Sequence, residues 1–332
     1  MAERCHRVAR LKALKLAAAL QEAKRDTAEL KQEVYVCNDL LLAERKVAAR
    51  QAELQQLERN ERNLESACCF GAPDWSGAGD AWGPEQEVTE VVYTASMDEE
   101  RGAQAVKFEH GRTATRLQLY TQPFAHGGLR MAFYARDSAG RKLVAKKFLQ
   151  PSAKFRRNVA NAHLDAEASA LSVLAANDFS AALEKSASDQ AARVSYLSAS
   201  VALPETKREI GGGEHVYILE PWLDSSVGKW EKFTMNDGTI TSPDEIMQAF
   251  SHFSMRYTCA ASGGAPLAVF DTQGVKEPGI YMLTDPAISS VTKLYGKTDF
   301  GAEAQATFLK MHTCSSVCAH VRCSAAAPPL GP

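Results

Sequence analysis

Residues Phe308–His320 read FLKMHTCSSVCAH, and the fold turns on how this stretch is read. His312, Cys314 and Cys318 fall within two helical turns of one another. A helix would bring Cys314 and Cys318, four apart, onto one face. Three soft donors make most of a zinc site, and structural zinc takes four tetrahedral ligands. Spacing does not fix the fourth. His320 and Cys323 lie close by, and His252, in AFSHF, lies about 60 residues upstream. Taken singly, the two cysteines are equally compatible with ordinary buried thiols.

The rest of the chain bounds what such a site could serve. Its 332 residues are 45% hydrophobic and 23% charged, with a net charge of -2. That is a globular composition, enough for one large domain or two ordinary ones. No apolar run reaches the ~20 residues of a spanning helix, so no membrane partner is expected. Near-neutral charge, with no run of Lys and Arg beside the Cys–His motif, argues against nucleic acid. The N-terminus, MAERCHRVARLKALKLAAAL, is interrupted by lysines and reads as helix rather than signal peptide. The 8 cysteines are then expected to be reduced or metal-bound, in a cytoplasmic protein.

Composition divides the chain. Met1 to Phe70 contains neither Gly nor Pro and is rich in strong helix formers. Leu30, Val34, Cys37 and Leu41, then Val47, Leu54, Leu57 and Leu64, recur at helical spacing. Residues 1–66 are therefore expected to form a long helix or coiled coil, with Arg50 and Glu61 interrupting the seam; it would either support self-association or, as a solvated helix, fold back on the next domain. CCFGAPDWSGAGDAWGPEQ reads as a flexible linker over 67–86. A domain is expected over 87–325, and a disordered tail over 326–332.

Within that domain, EVVYTASM and QAVKFEHG read as strands, and LRMAFYARDSAGRKLVAKKFL as a hairpin turning at DSAG. NAHLDAEASALSVLAANDFSAAL reads as a helix and HVYILEPWL as a buried strand entering a loop. SPDEIMQAFSHFSMRY reads as a helix with a capping box, Ser242 with Glu245. The class expected is α+β, strands first and helices concentrated later.

Three further clusters carry chemistry. In PFAHGGLRMAFYARD, Gly127 and Gly128 would let backbone N–H groups approach a phosphate, with Arg130 adding charge; a plain β-turn is the simpler reading. In KLVAKKF, Lys146 shares a strand face with Val144 and Phe148, so it needs an anionic partner. A nucleotide phosphate would serve, as would Glu167 on the following helix. In VFDTQGVKEPGIYMLTDPAISS, Asp271, Gln273 and Asp285 supply oxygen donors suited to Mg²⁺, and a carboxylate there can orient a hydroxyl nucleophile. Each aspartate is also a natural turn former.

In this order, from about Gln118 to Cys318, these segments resemble the alpha-kinases, a family of atypical protein kinases. The pieces that carry the resemblance are PFAHGGLRMAFYARD, LVAKKF, LEPWL, NDGTI, EIMQAFSHF, DTQGV, LTDPAI, GKTDFGAEAQATF and HTCSSVC. The resemblance implies a two-lobed catalytic domain with a structural zinc. It also implies a serine/threonine protein kinase that uses ATP and Mg²⁺ on a protein substrate. Gly127, Gly128, Leu129 and Arg130 resemble the phosphate loop over ATP, and Lys146 the lysine on the ATP phosphates. Glu167 is similar to the helix glutamate that pairs with that lysine. Glu220 and Leu223 resemble the inter-lobe residues that meet adenine. Asp271 resembles the catalytic aspartate, and Gln273 and Asp285 the Mg²⁺ ligands. His252, His312, Cys314 and Cys318 resemble the structural zinc set. TDFGA is not the DFG of ordinary protein kinases, and Asp299 is expected on the substrate side, off the metal. Thr272, the KEPGIY insertion and Gln305 depart from the family pattern, and 175–213 carries no motif. A catalytically silent, zinc-stabilised scaffold is the alternative.

Overall fold

A computed structural model describes residues 73–77, 81–98, 105–149, 155–185, 192–205, 215–261 and 266–321. The helix expected over 1–66, its self-association and the tail expected over 326–332 lie outside these residues.

Strands β1 (Gln86–Asp98) and β2 (Ala105–Leu119) pair antiparallel along their whole length. They are followed by the short β3 (Ala125–His126) and the hairpin β4 (Arg130–Asp137) and β5 (Lys142–Phe148). The DSAG turn is present: the Asp137 carboxylate accepts from the backbone N–H groups of Ala139 and Arg141, and the Gly140 N–H donates to the Asp137 carbonyl. With β7 (Ser200–Pro204) and β8 (Tyr217–Pro221) the sheet order is β2-β1-β7-β8-β5-β4-β3, and β4 pairs back to β2 from Leu117↔Asp137 to Leu119↔Ala135. Six strands thus close on themselves, which removes the open edges of a flat sheet. Val88, Leu117, Ala135, Leu143, Ala145 and Leu219 fill the inside.

Helix α1 (Phe155–Lys185) joins this barrel to the second half of the domain. Ala162, Ala166 and Ala170, spaced by four, lie against Val91, Val201, Val216 and Ile218 on the barrel's outer side. Their small side chains favour helix and let the backbones approach. Further along, Leu171, Ala175, Phe179 and Leu183 enter a second core with Phe250, Val269, Leu283 and Ile288. One helix therefore carries two apolar stripes and fixes one lobe to the other.

The second lobe is built from β6 (Arg193–Tyr196), β9 (Lys229–Lys232), α2 (Glu245–Ala261), β10 (Leu267–Phe270), β11 (Gln273–Glu277), β12 (Ile280–Thr284), β13 (Ala287–Ser290), α3 (Ala302–Met311) and α4 (Ser316–His320). The strands form a β6-β12-β11-β9 sheet and a β10-β13 pair. Strands thus recur to the end of the domain, against the expected order of strands then helices. The late strands are only four or five residues long, too short for a clear alternation signal.

Two local expectations change. The cap of α2 is Asp244, whose carboxylate accepts from the Met247 N–H at 2.9 Å, while Ser242 donates to Glu231. A carboxylate two residues nearer the helix supplies the N3 acceptor that Ser242 was expected to give. In the stretch expected to be a linker, Trp75 packs on Tyr134 and against Trp82, and Trp82 forms a β-bridge to Tyr120.

Candidate active site

The lobes meet where charged groups from both converge. From the barrel, Gly127 donates its N–H to the Arg130 carbonyl at 2.8 Å, closing the turn that starts β4. The Arg130 guanidinium donates to Asp165 of α1 at 2.9 Å and to Asp285 at 3.4 Å. On the neighbouring strand, the Lys146 ammonium lies 2.8 Å from Glu220 and 3.0 Å from Asp285. Glu220 is 4% exposed and accepts a second hydrogen bond from the Thr284 hydroxyl. Burial works against the charge of Lys146, but Asp285 and Glu220 outweigh it and its pKa is raised. Burial likewise opposes ionisation of Asp285, yet Lys146 and then Arg130 hold its carboxyl well below the usual carboxylate range.

From the second lobe come Asp271, after β10, and Asp285, between β12 and β13. Both hold left-handed backbone, φ 54° and 52°, a region Asp enters more readily than most residues and one often found at functional sites. Hairpin β11–β12 sets their separation by pairing Gln273 with Thr284, and β9 pairs Gln273 with Lys232 on the other side. Lys232 reaches Asp271 at 2.7 Å, and the Gln273 amide lies 3.5 Å from the same carboxylate. Burial pushes the Asp271 carboxyl upward and Lys232 pulls it back, leaving it raised.

Glu167 is not the partner of Lys146. Two helical positions from Asp165 it points ~200° away, and its electrostatic neighbours are His110, Tyr93 and Tyr295. Asp165 and Lys232 belong to the constellation and carried no sequence signal of their own. Asp299 is 4% exposed and accepts from the Ser290 N–H and hydroxyl and from the Tyr295 and Gly301 N–H groups. Its carboxylate is thus occupied in holding the loop between β13 and α3. Leu223 is buried just beyond β8.

The opening Cys–His question has a geometric answer. One donor atom each from His252, His312, Cys314 and Cys318 lies within 4.8 Å of all the others. His252 Nδ1 and His312 Nε2 are 3.2 Å apart, Cys314 Sγ is 3.5 Å from His252 Nδ1, and Cys318 Sγ is 3.4 Å from His312 Nε2. Bonds of ~2.0–2.3 Å in a tetrahedron space ligands ~3.3–3.8 Å apart, so these donors fit a zinc ion. His312 Nδ1 lies 3.3 Å from the Gln248 amide oxygen, the outer contact that orients a ligating imidazole. The thiols do not share a helix face as expected. Cys314 precedes the α4 cap, Ser315, and only Cys318 lies within the helix.

The alpha-kinase family model matches residues 125–318, more than half of the chain. Alpha-protein kinase vwkA of Dictyostelium discoideum is 27% identical over 207 residues, 61% of this chain and 30% of that protein. Myosin heavy chain kinase D of the same organism is 33% identical over 117 residues, 35% of this chain and 11% of its own length. The chain thus spans less than a third of either relative. Among solved structures, an alpha kinase from Entamoeba histolytica superposes with a TM-score of 0.54 at 21% identity, over 73% of this chain and 92% of that one. The alpha-kinase domain of myosin-II heavy chain kinase A in complex with AMP-PNP gives 0.52 at 19%, over 73% and 97%. These likenesses establish a shared fold, and with the match across both lobes they make the chain a member of the alpha-kinase family.

Proposed function

We propose that this chain is a serine/threonine protein kinase of the alpha type, transferring the ATP γ-phosphate to a protein hydroxyl in the cytoplasm. The observation that carries the reading is the convergence of Arg130 and Lys146 of one lobe on Asp285 of the other, with Asp271 and its lysine beside them. Phosphoryl transfer asks a protein for positioning and charge, and little covalent chemistry. Gly127, Gly128 and Leu129 offer a turn over the phosphates. Arg130, its fork fixed by Asp165, and Lys146, aimed by Glu220, hold phosphate oxygens. The backbone of Glu220 and Leu223 receives the adenine. Asp271 orients the substrate hydroxyl and accepts its proton, with Lys232 keeping the carboxylate in place.

Gln273 and Asp285, with Asp271 close by, form an oxygen-rich donor set suited to Mg²⁺. Bound there, Mg²⁺ would neutralise charge on the transferring phosphoryl group. His252, His312, Cys314 and Cys318 would hold a zinc ion closed to substrate, and hence structural. It ties α4 to α2, which packs on the strand leading to Asp271. A silent scaffold is disfavoured, because the cations and carboxylates that transfer requires are present and oriented. The test is incorporation of labelled phosphate from Mg-ATP into a generic basic protein by wild type, Lys146→Ala and Asp271→Ala. Transfer by wild type that both variants lose supports the reading. Equal incorporation by wild type and variants would sink the site, and silence from all three in folded, zinc-loaded protein would favour the scaffold.

A further inference from the structure

Six aromatic rings stand together beyond Lys146: Trp75, Trp82, Tyr120, Phe124, Tyr134 and Trp222. Trp75 lies 5.7 Å from Tyr134 and 6.0 Å from Trp222, ring centre to ring centre. Phe124 stacks on Tyr134 at 4.2 Å, and Trp222 meets Tyr134 edge-on at 5.1 Å. Four of the six precede residue 125, where the family match begins. The segment carrying the two tryptophans is tied down by its backbone as well. Gly83 donates to the Leu119 carbonyl and Thr121 to that of Ala81, both at 2.8 Å. Arg136 donates to the Trp75 carbonyl at 2.7 Å and lies 4.4 Å over the Trp82 ring, and the Lys142 ammonium is 5.6 Å from the Trp75 ring.

The β4–β5 register locates this cluster relative to the cleft. Arg130↔Phe148, Ala132↔Lys146, Tyr134↔Val144 and Arg136↔Lys142 are successive pairs on one face, each ~7 Å from the next. Val144 also pairs with Glu220 of β8. Phosphates held at the first two pairs leave the nucleoside to extend toward the third, where Tyr134 stands beside the strand that leads into Leu223. Trp222 lies between Glu220 and Leu223 in sequence and so sets the path of that segment, while Phe124 sits three residues before Gly127.

We propose that Trp75 is a positioning residue for nucleotide binding. From outside the family-matched segment it braces Trp222 and, through Tyr134, Phe124, and so fixes the base-binding stretch and the foot of the phosphate turn. The inference rests on the reading of Glu220–Leu223 as the adenine-binding segment. Removing the Trp75 ring forfeits its edge and face contacts and leaves the Trp222 ring braced only by Phe124 and Tyr134 among these rings, whereas the cations and carboxylates of phosphoryl transfer stay where they are.

The test uses the full chain with Trp75→Ala, Trp75→Leu and Trp75→Phe, beside Lys146→Ala. KM for Mg-ATP, kcat and KM for the protein substrate are measured, with Mg-AMP-PNP affinity by calorimetry. Three of the chain's four tryptophans lie in the cluster, so intrinsic fluorescence reports whether it has opened. Trp75→Ala is expected to raise KM for Mg-ATP and weaken Mg-AMP-PNP binding about tenfold, with kcat and protein KM held within about twofold. Trp75→Phe is expected to restore most of the affinity. If Trp75→Ala does not fold, Trp75→Leu, which keeps an apolar plug, is read in the same way. Unchanged or tighter nucleotide binding in a folded variant with an altered emission spectrum overturns the proposal. If Lys146→Ala also binds nucleotide normally, the placement of the phosphate site fails first; if only the Trp75 variants do, the site stands and the brace alone is refuted.

Discussion

Removing the Glu220 carboxylate tests the inter-lobe charge cluster most directly. In Glu220→Ala, Lys146 keeps Asp285 at 3.0 Å but loses the closer acid at 2.8 Å. Thr284 also loses the acceptor of its hydroxyl. The side chains of Lys146 and Glu220 are only 13% and 6% exposed, so water repairs little of this. Breaking a buried pair on one side costs about 3–5 kcal/mol. Asp285 still balances Lys146, which puts that part at about 2–3 kcal/mol. The stranded Thr284 hydroxyl adds about 1–2 kcal/mol, so the expected loss is about 3–5 kcal/mol, or roughly 10 °C in Tm for a domain of this size. Glu220→Gln keeps an acceptor oxygen for Lys146 and turns its amide nitrogen to donate to the Thr284 hydroxyl oxygen, so it should lose only about 1–2 kcal/mol. Urea melts followed by tryptophan emission, run side by side, give the two numbers. Alanine and glutamine variants of equal stability, both close to wild type, would show that the pair is not desolvated and would remove the basis for treating Glu220 as the group that aims Lys146.

Gly274→Ala is expected to be severely destabilised, by more than about 3 kcal/mol, and to appear mainly in the insoluble fraction. Its Cβ would lie 2.1 Å from the Met282 carbonyl oxygen, at φ 156°, within the hairpin that spaces Asp271 from Asp285. Elemental analysis of wild type should find one zinc per chain. Cys318→Ser, at a fully buried position, should lose it and lower Tm by about 5 °C or more, whereas full metal content in that variant would contradict the ligand set. Asp299→Asn should cost about 2–3 kcal/mol, since an amide nitrogen would face donors that the carboxylate now satisfies. The Mg²⁺ dependence of its residual activity should match wild type, and a raised Mg²⁺ requirement would assign Asp299 to the metal instead.

What the sequence determined by itself was local. The β4–β5 hairpin with its DSAG turn, the alanine-rich α1 and the Gly127–Gly128 turn all follow from spacing and turn chemistry, because neighbours along the chain are neighbours in space. The ordered run of motifs pointed to the family and to Lys146, Asp271, Gln273 and Asp285. Only tertiary structure decided which charges face one another. Lys146 and Glu220 are 74 residues apart, and the register of β5 on β8 brings them together. Asp165 rather than Glu167 faces the cleft because a two-residue step on a helix turns a side chain to the far side. His252 joins three donors about 60 residues away because α2 and α4 pack in one core. Trp75 and Trp82 sit among glycines and prolines and read as linker. They become part of the barrel only because a folded sheet offers Tyr134, Arg136 and Trp222 as a surface to cover, and a surface of that kind exists only once the strands have closed.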